Sequence, residues 1–84
     1  MRGDINNSNA RKKKKQLLCI GSNIKEQRIN SGLAQTELAY ILDVSVEDIK
    51  NIEEGKKSNL LSLELLLDIA NYFKIYPEEL FKEN

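Results

Sequence analysis

The chain has 84 residues, 40% of them hydrophobic and 31% charged, with thirteen basic and thirteen acidic side chains and no formal net charge. This is the composition of one small globular domain. The absence of histidine and the presence of a single cysteine exclude histidine-based catalysis, an intrachain disulfide and a thiolate metal cluster. No unbroken apolar run exceeds five residues (Leu38 to Leu42), too few to cross a membrane, and the first fifteen residues lack the apolar centre of a signal peptide. A free Cys19 fits a reducing cytoplasm.

The zero net charge hides an asymmetry. Residues 1–20 carry six basic groups and one acid, a net of +5, and residues 21–84 carry a net of −5. Five basic residues are consecutive, Arg11 to Lys15. With little to bury, residues 1–16 read as a basic arm or frayed helix start, distinct from a domain over 17–84. Such a run either grips phosphates without sequence preference or serves as a solubilising tail.

From Leu17 onward the pattern is helical, punctuated by glycine and by the one proline, with no period-two stretch that would suggest a sheet. A first helix runs from about Leu17 to Asn30, with Leu17, Ile20, Ile24 and Arg28 on one face and Gly32 as its stop. A second covers Gln35 to Leu42, with Leu38, Ala39 and Leu42 inward. Asp43-Val44-Ser45 forms a turn, in which Asp43 tolerates left-handed backbone. A third helix runs from Val46 to Glu54, with Ser45 as N-cap, Asp48 three residues on, and Gly55 as its end. A fourth is capped by Ser62 and buries Leu63, Leu66, Leu67, Ile69, Ala70 and Phe73. Pro77-Glu78-Glu79 opens a short fifth helix anchored by Leu80 and Phe81.

Helices two and three form the informative unit: a small residue, Ala39, at the crossing; Asp43 and an apolar plug, Val44, in the turn; Ile49 and Ile52 facing back. This is the helix-turn-helix pattern, whose second helix enters a DNA major groove. At about 100° per residue, Val46, Lys50, Glu54, Glu47 and Asn51 of that helix occupy an outward arc of about 140°.

Here the chain resembles the Xre/Cro/C1-type helix-turn-helix regulators. The resemblance rests on Ile24-Lys25-x-x-Arg28, on Gly32-Leu33-x-Gln35-x-x-Leu38-Ala39, on Val44-Ser45, on Ile49-x-x-Ile52-Glu53-x-Gly55-Lys56, and on Leu66-x-x-Ile69-Ala70 followed by Ile75 and Leu80. It spans about residues 18–81. Asp43 stands where the family usually has glycine, and Ala34 where it has a capping Ser, Thr or Asn. The resemblance implies an all-α, compact five-helix bundle of the lambda-repressor-like type, homodimeric and bound to operator-like double-stranded DNA. It implies base reading by Val46, Glu47, Lys50 and Asn51, a Gln35 that holds a backbone phosphate and braces the third helix, and a pair between Arg28 and Glu53. The residue chemistry agrees: Asn51 can pair with adenine, Lys50 donate to guanine or phosphate, Glu47 accept from cytosine, and Val46 touch a thymine methyl. Thr36, Ser45, Lys56 and Lys57 stand at helix starts or just past the third helix, where phosphates are met.

The expected function is therefore sequence-specific DNA binding by a transcriptional regulator, a repressor, with no enzymatic activity, no cofactor or metal and no small-molecule substrate. The competing expectation is a protein-binding helix-turn-helix module, such as an antitoxin or anti-regulator, docking through the acidic domain. Leu65 and Tyr72, which point away from the Leu66–Phe73 stripe, together with Leu60, Leu61, Tyr76 and Phe81, place a homodimer contact on the fifth helix and the loop before it. The three tyrosines are expected to serve as packing residues, and Cys19 as a small hydrophobe near the core.

Overall fold

The computed structural model describes the backbone of residues 2–56 and 61–83, and side chains from residue 11 onward within those ranges. It contains four α-helices, α1 (Arg2–Asn30), α2 (Gln35–Leu42), α3 (Val46–Glu53) and α4 (Leu63–Phe73), and a closing 3-10 helix (Pro77–Phe81), with no strand among the described residues. The all-α expectation holds. The fifth α-helix is instead a single 3-10 segment. Its one fully buried anchor is Leu80, and the carbonyls of Leu80 and Lys82 are taken by the Asn23 amide of α1, at 2.8 and 2.7 Å. Five residues held this way gain little from a longer α-helical ladder.

All four α-helices end alike. The last turn is closed by a backbone N–H reaching back five residues: Leu33 to Arg28, Val44 to Ala39, Lys56 to Asn51 and Ile75 to Ala70, at 2.9–3.1 Å. Just before each of these donors, Gly32, Asp43, Gly55 or Lys74 is left-handed or, for α3, sits in the same turn, with φ between 58° and 73°. This satisfies carbonyls that a helix end leaves unpaired. The helix starts differ more. Ser45 and Ser62 accept from the N–H groups of Asp48 and Leu65, at 3.0 and 3.1 Å. Ala34 has no side chain to do so, and Glu37 supplies the other half of the motif, accepting the Ala34 N–H at 2.7 Å.

The core is one cluster: Ile20 and Ile24 of α1, Leu38 and Ala39 of α2, Ile49 and Ile52 of α3, Leu66, Ile69 and Ala70 of α4, and Leu80. Leu42, Leu61, Leu65, Phe73 and Ile75 pack around it. Several inward and outward assignments change places. Leu63, Leu67 and Phe81 are exposed, while Leu65 and Leu61 lean on the core. Tyr40 and Tyr76 are 88% and 73% exposed and pack on little. Tyr72, also exposed, meets Phe73 edge to face at 5.2 Å. Leu60 lies outside the described residues.

α1 is longer than its apolar pattern suggests. It begins at Arg2 rather than near Leu17, and the basic run is carried on it. Arg, Lys, Gln and Ala are good helix formers, and no glycine or proline interrupts residues 4–20. Nor is Gly21 a break. It sits inside α1 where a Cβ would lie 2.2 Å from the Ile52 carbonyl oxygen and 2.9 Å from that of Glu53. Only glycine lets α1 pass this close to the end of α3.

Candidate nucleic-acid interface

The geometry of the α2–turn–α3 unit follows from its small residues. Ala39 is buried at the crossing, Asp43 takes φ 58°, ψ 46°, and Val44 is drawn back by its bond to the Ala39 carbonyl and packs against the core. Ile49 and Ile52 are fully covered, so α3 turns its other side outward.

α3 is fixed at its C-terminal end by a buried charged network. The Arg28 guanidinium of α1 grips the Glu53 carboxylate with two bonds, Nε to Oε2 at 2.6 Å and a terminal nitrogen to Oε1 at 3.1 Å. Its other terminal nitrogen donates to the Leu33 carbonyl at 2.7 Å. The side chains are 10% and 2% exposed. Gln35, the first residue of α2, donates its amide to Glu53 Oε1 at 2.9 Å. One carboxylate thus ties the starts and ends of three helices together. No buried side-chain polar atom among the described residues lacks a partner, the condition under which a buried ion pair is tolerated.

The sequence-derived site residues divide by what they already do. Glu47 and Lys50 of α3 are exposed, Asn51 is half-buried beside them, and Thr36 is exposed on the first turn of α2. Val46 is half-buried and packs on the core, which leaves less of it for a partner. The Ser45 oxygen is engaged in capping, while its hydroxyl proton is free to donate. Gln35 is half-buried and spends its amide on Glu53. Lys56 is exposed, but its ammonium sits 2.9 Å from the Glu54 carboxylate. That ammonium, by hydrogen bond and by charge, holds the Glu54 carboxyl below its ordinary range, with Lys50 and Lys25 adding to the effect. Glu54 in turn raises Lys56, and Glu47 contributes. Lys57 lies outside the described residues.

Sequence reasoning missed two residues that hold this frame, Gly21 and Asn23, while the expected brace from Gln35 to the third helix takes the form of its bond to Glu53. Asn23 carried a signal, being a polar residue between Ile20 and Ile24 on the buried face of α1.

The comparisons with known proteins agree with this architecture. Residues 21–84 match the helix-turn-helix domain family, and the chain belongs to it. The resemblance drawn from the sequence motifs is borne out. Among solved structures, the restriction-modification controller protein C.AhdI of Aeromonas hydrophila is similar, with a TM-score of 0.69 and 31% identity over 77% of this chain and 96% of that one. Among curated proteins none matches. The family and this likeness indicate a DNA-binding transcription regulator.

Proposed function

We propose that this protein is a sequence-specific repressor that binds DNA as a homodimer, with α3 in the major groove. The observation that carries the reading is the pairing of exposed Glu47 and Lys50, and half-buried Asn51 beside them, with a rigid rear mount, the Arg28–Glu53–Gln35 network. A base-reading helix needs side chains that reach base edges from a fixed backbone. Asn51 pairs with adenine, Lys50 with guanine or phosphate, and Glu47 accepts from cytosine. Val46 contributes a partial apolar contact. Gln35, Thr36, Ser45, Lys56 and Lys57 meet phosphates and set the register.

Dimerisation uses the shallow groove of about 370 Å³ between α4 and the 3-10 helix, lined by Leu67, Ile75 and Pro77, with exposed Leu63 and Tyr76 near it. A two-fold contact there sets two α3 helices one DNA turn apart, about 34 Å. The similarity to a restriction-modification controller supports a role in setting the expression of such genes.

The test is selection from a random duplex pool, followed by affinity measurements on the selected and the random duplex. Asn51→Ala loses about 1–3 kcal/mol on the selected site and little on random DNA. Glu47→Gln tightens random binding and relaxes the choice at one base pair, because the carboxylate repels phosphate everywhere and is compensated only at cytosine. If neither substitution changes either affinity, α3 does not enter the groove. The second reading, a protein-binding module, then leads; the net charge of −5 over residues 21–84 favours it.

A further inference from the structure

The basic run Arg11–Lys15 is not one patch. α1 distributes it over two faces that meet different parts of the molecule. Lys12 and Lys15 face the C-terminus, where they line a cleft with Gln16, Cys19, Phe81 and Glu83, and the Lys15 ammonium lies 3.6 Å from the Glu83 carboxylate. Lys13 and Lys14 face the other way. With Leu17 and Leu18 they line a groove of about 630 Å³ whose far wall is Glu54, Gly55 and Lys56, the end of α3 and the turn after it. Gly55 is pressed against Leu18; a Cβ there would fall 2.9 Å from that side chain. The groove's far wall stands beside the outward side of α3, where Glu47 is close enough to Lys56 to act on it by charge.

We propose that this groove is a second DNA contact, in which Lys13, Lys14 and Lys56 take the phosphate backbone beside the bases that α3 reads. The proposal rests on the DNA-binding reading given above and assigns it a further surface. Charge complementarity selects the occupant. The groove lining carries three lysines, Lys13, Lys14 and Lys56, against one glutamate, Glu54; Lys25 and Lys50 stand close enough to Glu54, and Glu47 close enough to Lys56, to act on them by charge. α3 with its following turn, taken alone, presents Lys50 and Lys56 against the same two acids, too little for a polyanion. Lys13 and Lys14 of α1 and the nearby Lys25 supply what is missing. Glu54 then has a definite role: it holds Lys56 in place until a phosphate, the stronger acceptor array, replaces it. Lys12 and Lys15 have no part in this, being turned to the other side of α1.

The experiment compares the double variants K13Q/K14Q and K12Q/K15Q with wild type on a random-sequence duplex, measuring affinity by fluorescence anisotropy from about 50 to about 200 mM salt. Each lost phosphate contact flattens the slope of log affinity against log salt by about 0.9. K13Q/K14Q is expected to flatten it by about 1.8, while K12Q/K15Q leaves it within error of wild type. E54Q, which frees Lys56, is expected to steepen it. Equal losses for the two double variants mean an undirected basic tail and overturn the groove. So does an unchanged slope for K13Q/K14Q, including the case where that variant instead weakens self-association in sedimentation. In these outcomes wild type still binds the duplex and the regulator reading stands. If wild type itself fails to bind at low salt, the DNA-binding reading falls, and the groove with it.

Discussion

Glu53 and Glu54 are neighbours in the chain, each paired with a cation, and they have opposite roles. Glu53 is enclosed, held by two bonds from Arg28 and one from Gln35. Glu54 is open to water, and its Lys56 partner is just as exposed. The difference is set by one residue of helix rotation: Glu53 turns toward α1, and Glu54 caps α3 on the outer side. A carboxylate in the enclosed position is fully satisfied, and loss of its partner strands a charge away from water. In the open position water replaces the partner at little cost. The first pair is a fixture of the fold. The second is free to exchange ligands, which a surface meeting phosphates requires.

Breaking the enclosed pair has the largest expected effect. Arg28→Ala leaves Glu53 buried without its cation and lowers stability by about 3–5 kcal/mol, read from urea denaturation. An unchanged midpoint would mean that the pair is solvated in solution. Gly21→Ala strikes the same junction from the backbone. Its methyl would lie 2.2 Å from the Ile52 carbonyl oxygen, so α1 and α3 must separate, at a cost of about 1–3 kcal/mol. Gln35→Ala removes one hydrogen bond to a carboxylate that keeps its main partner, and costs about 1.5 kcal/mol. Glu54→Gln should move the urea midpoint at neutral pH the least of the four. Its faint contribution has a defined pH window. Because the Glu54 carboxyl is held below its ordinary 4.5, the pair contributes fully above that pH and is lost as pH falls through the lowered value. Because Lys56 is raised above 10.5, the pair contributes fully below that pH and is lost as pH rises past it. The small difference in denaturation between wild type and Glu54→Gln should therefore vanish below the lowered Glu54 value and above the raised Lys56 value.

The enclosed pair was legible before any coordinates, because a charged Arg28 shares a helical face with Ile24 and requires an acid. So were the left-handed turn at Asp43 and the serine caps, since each depends on the local chemistry of one residue. What was not legible depends on distance between elements. Gly21 looks like punctuation in a one-dimensional reading, and only the approach of α3 explains it. Lys74 takes a left-handed turn that nothing in its side chain announces. Asn23 reads as a flaw in an apolar stripe until the carbonyls of Leu80 and Lys82 arrive beside it. Leu63 and Leu65 exchange roles because a leucine-rich helix supports more than one inward face, and periodicity alone does not choose. At the candidate interface, the outward placement of Glu47 and Lys50 was readable from angle. The engagement of Lys56 by Glu54, and the division of the basic run between two sides of α1, were not.

α1 is also a mechanical object. At about 1.5 Å per residue its 29 residues span about 43 Å, most of the molecule's 46 Å long axis. It is pinned at Leu18, Gly21, Asn23 and Arg28, and on the N-terminal side of these points Lys12 to Lys15 line the clefts on either side of it. Gly21 is the fulcrum of a beam. A tilt of about 10° there carries Lys13 through about 2 Å and the beginning of the helix through about 5 Å, from the same helical rise. A single methyl group placed at the fulcrum is thereby converted into a displacement comparable to a hydrogen-bond length at the far charges. The missing side chain at position 21 sets the aim of the entire basic segment.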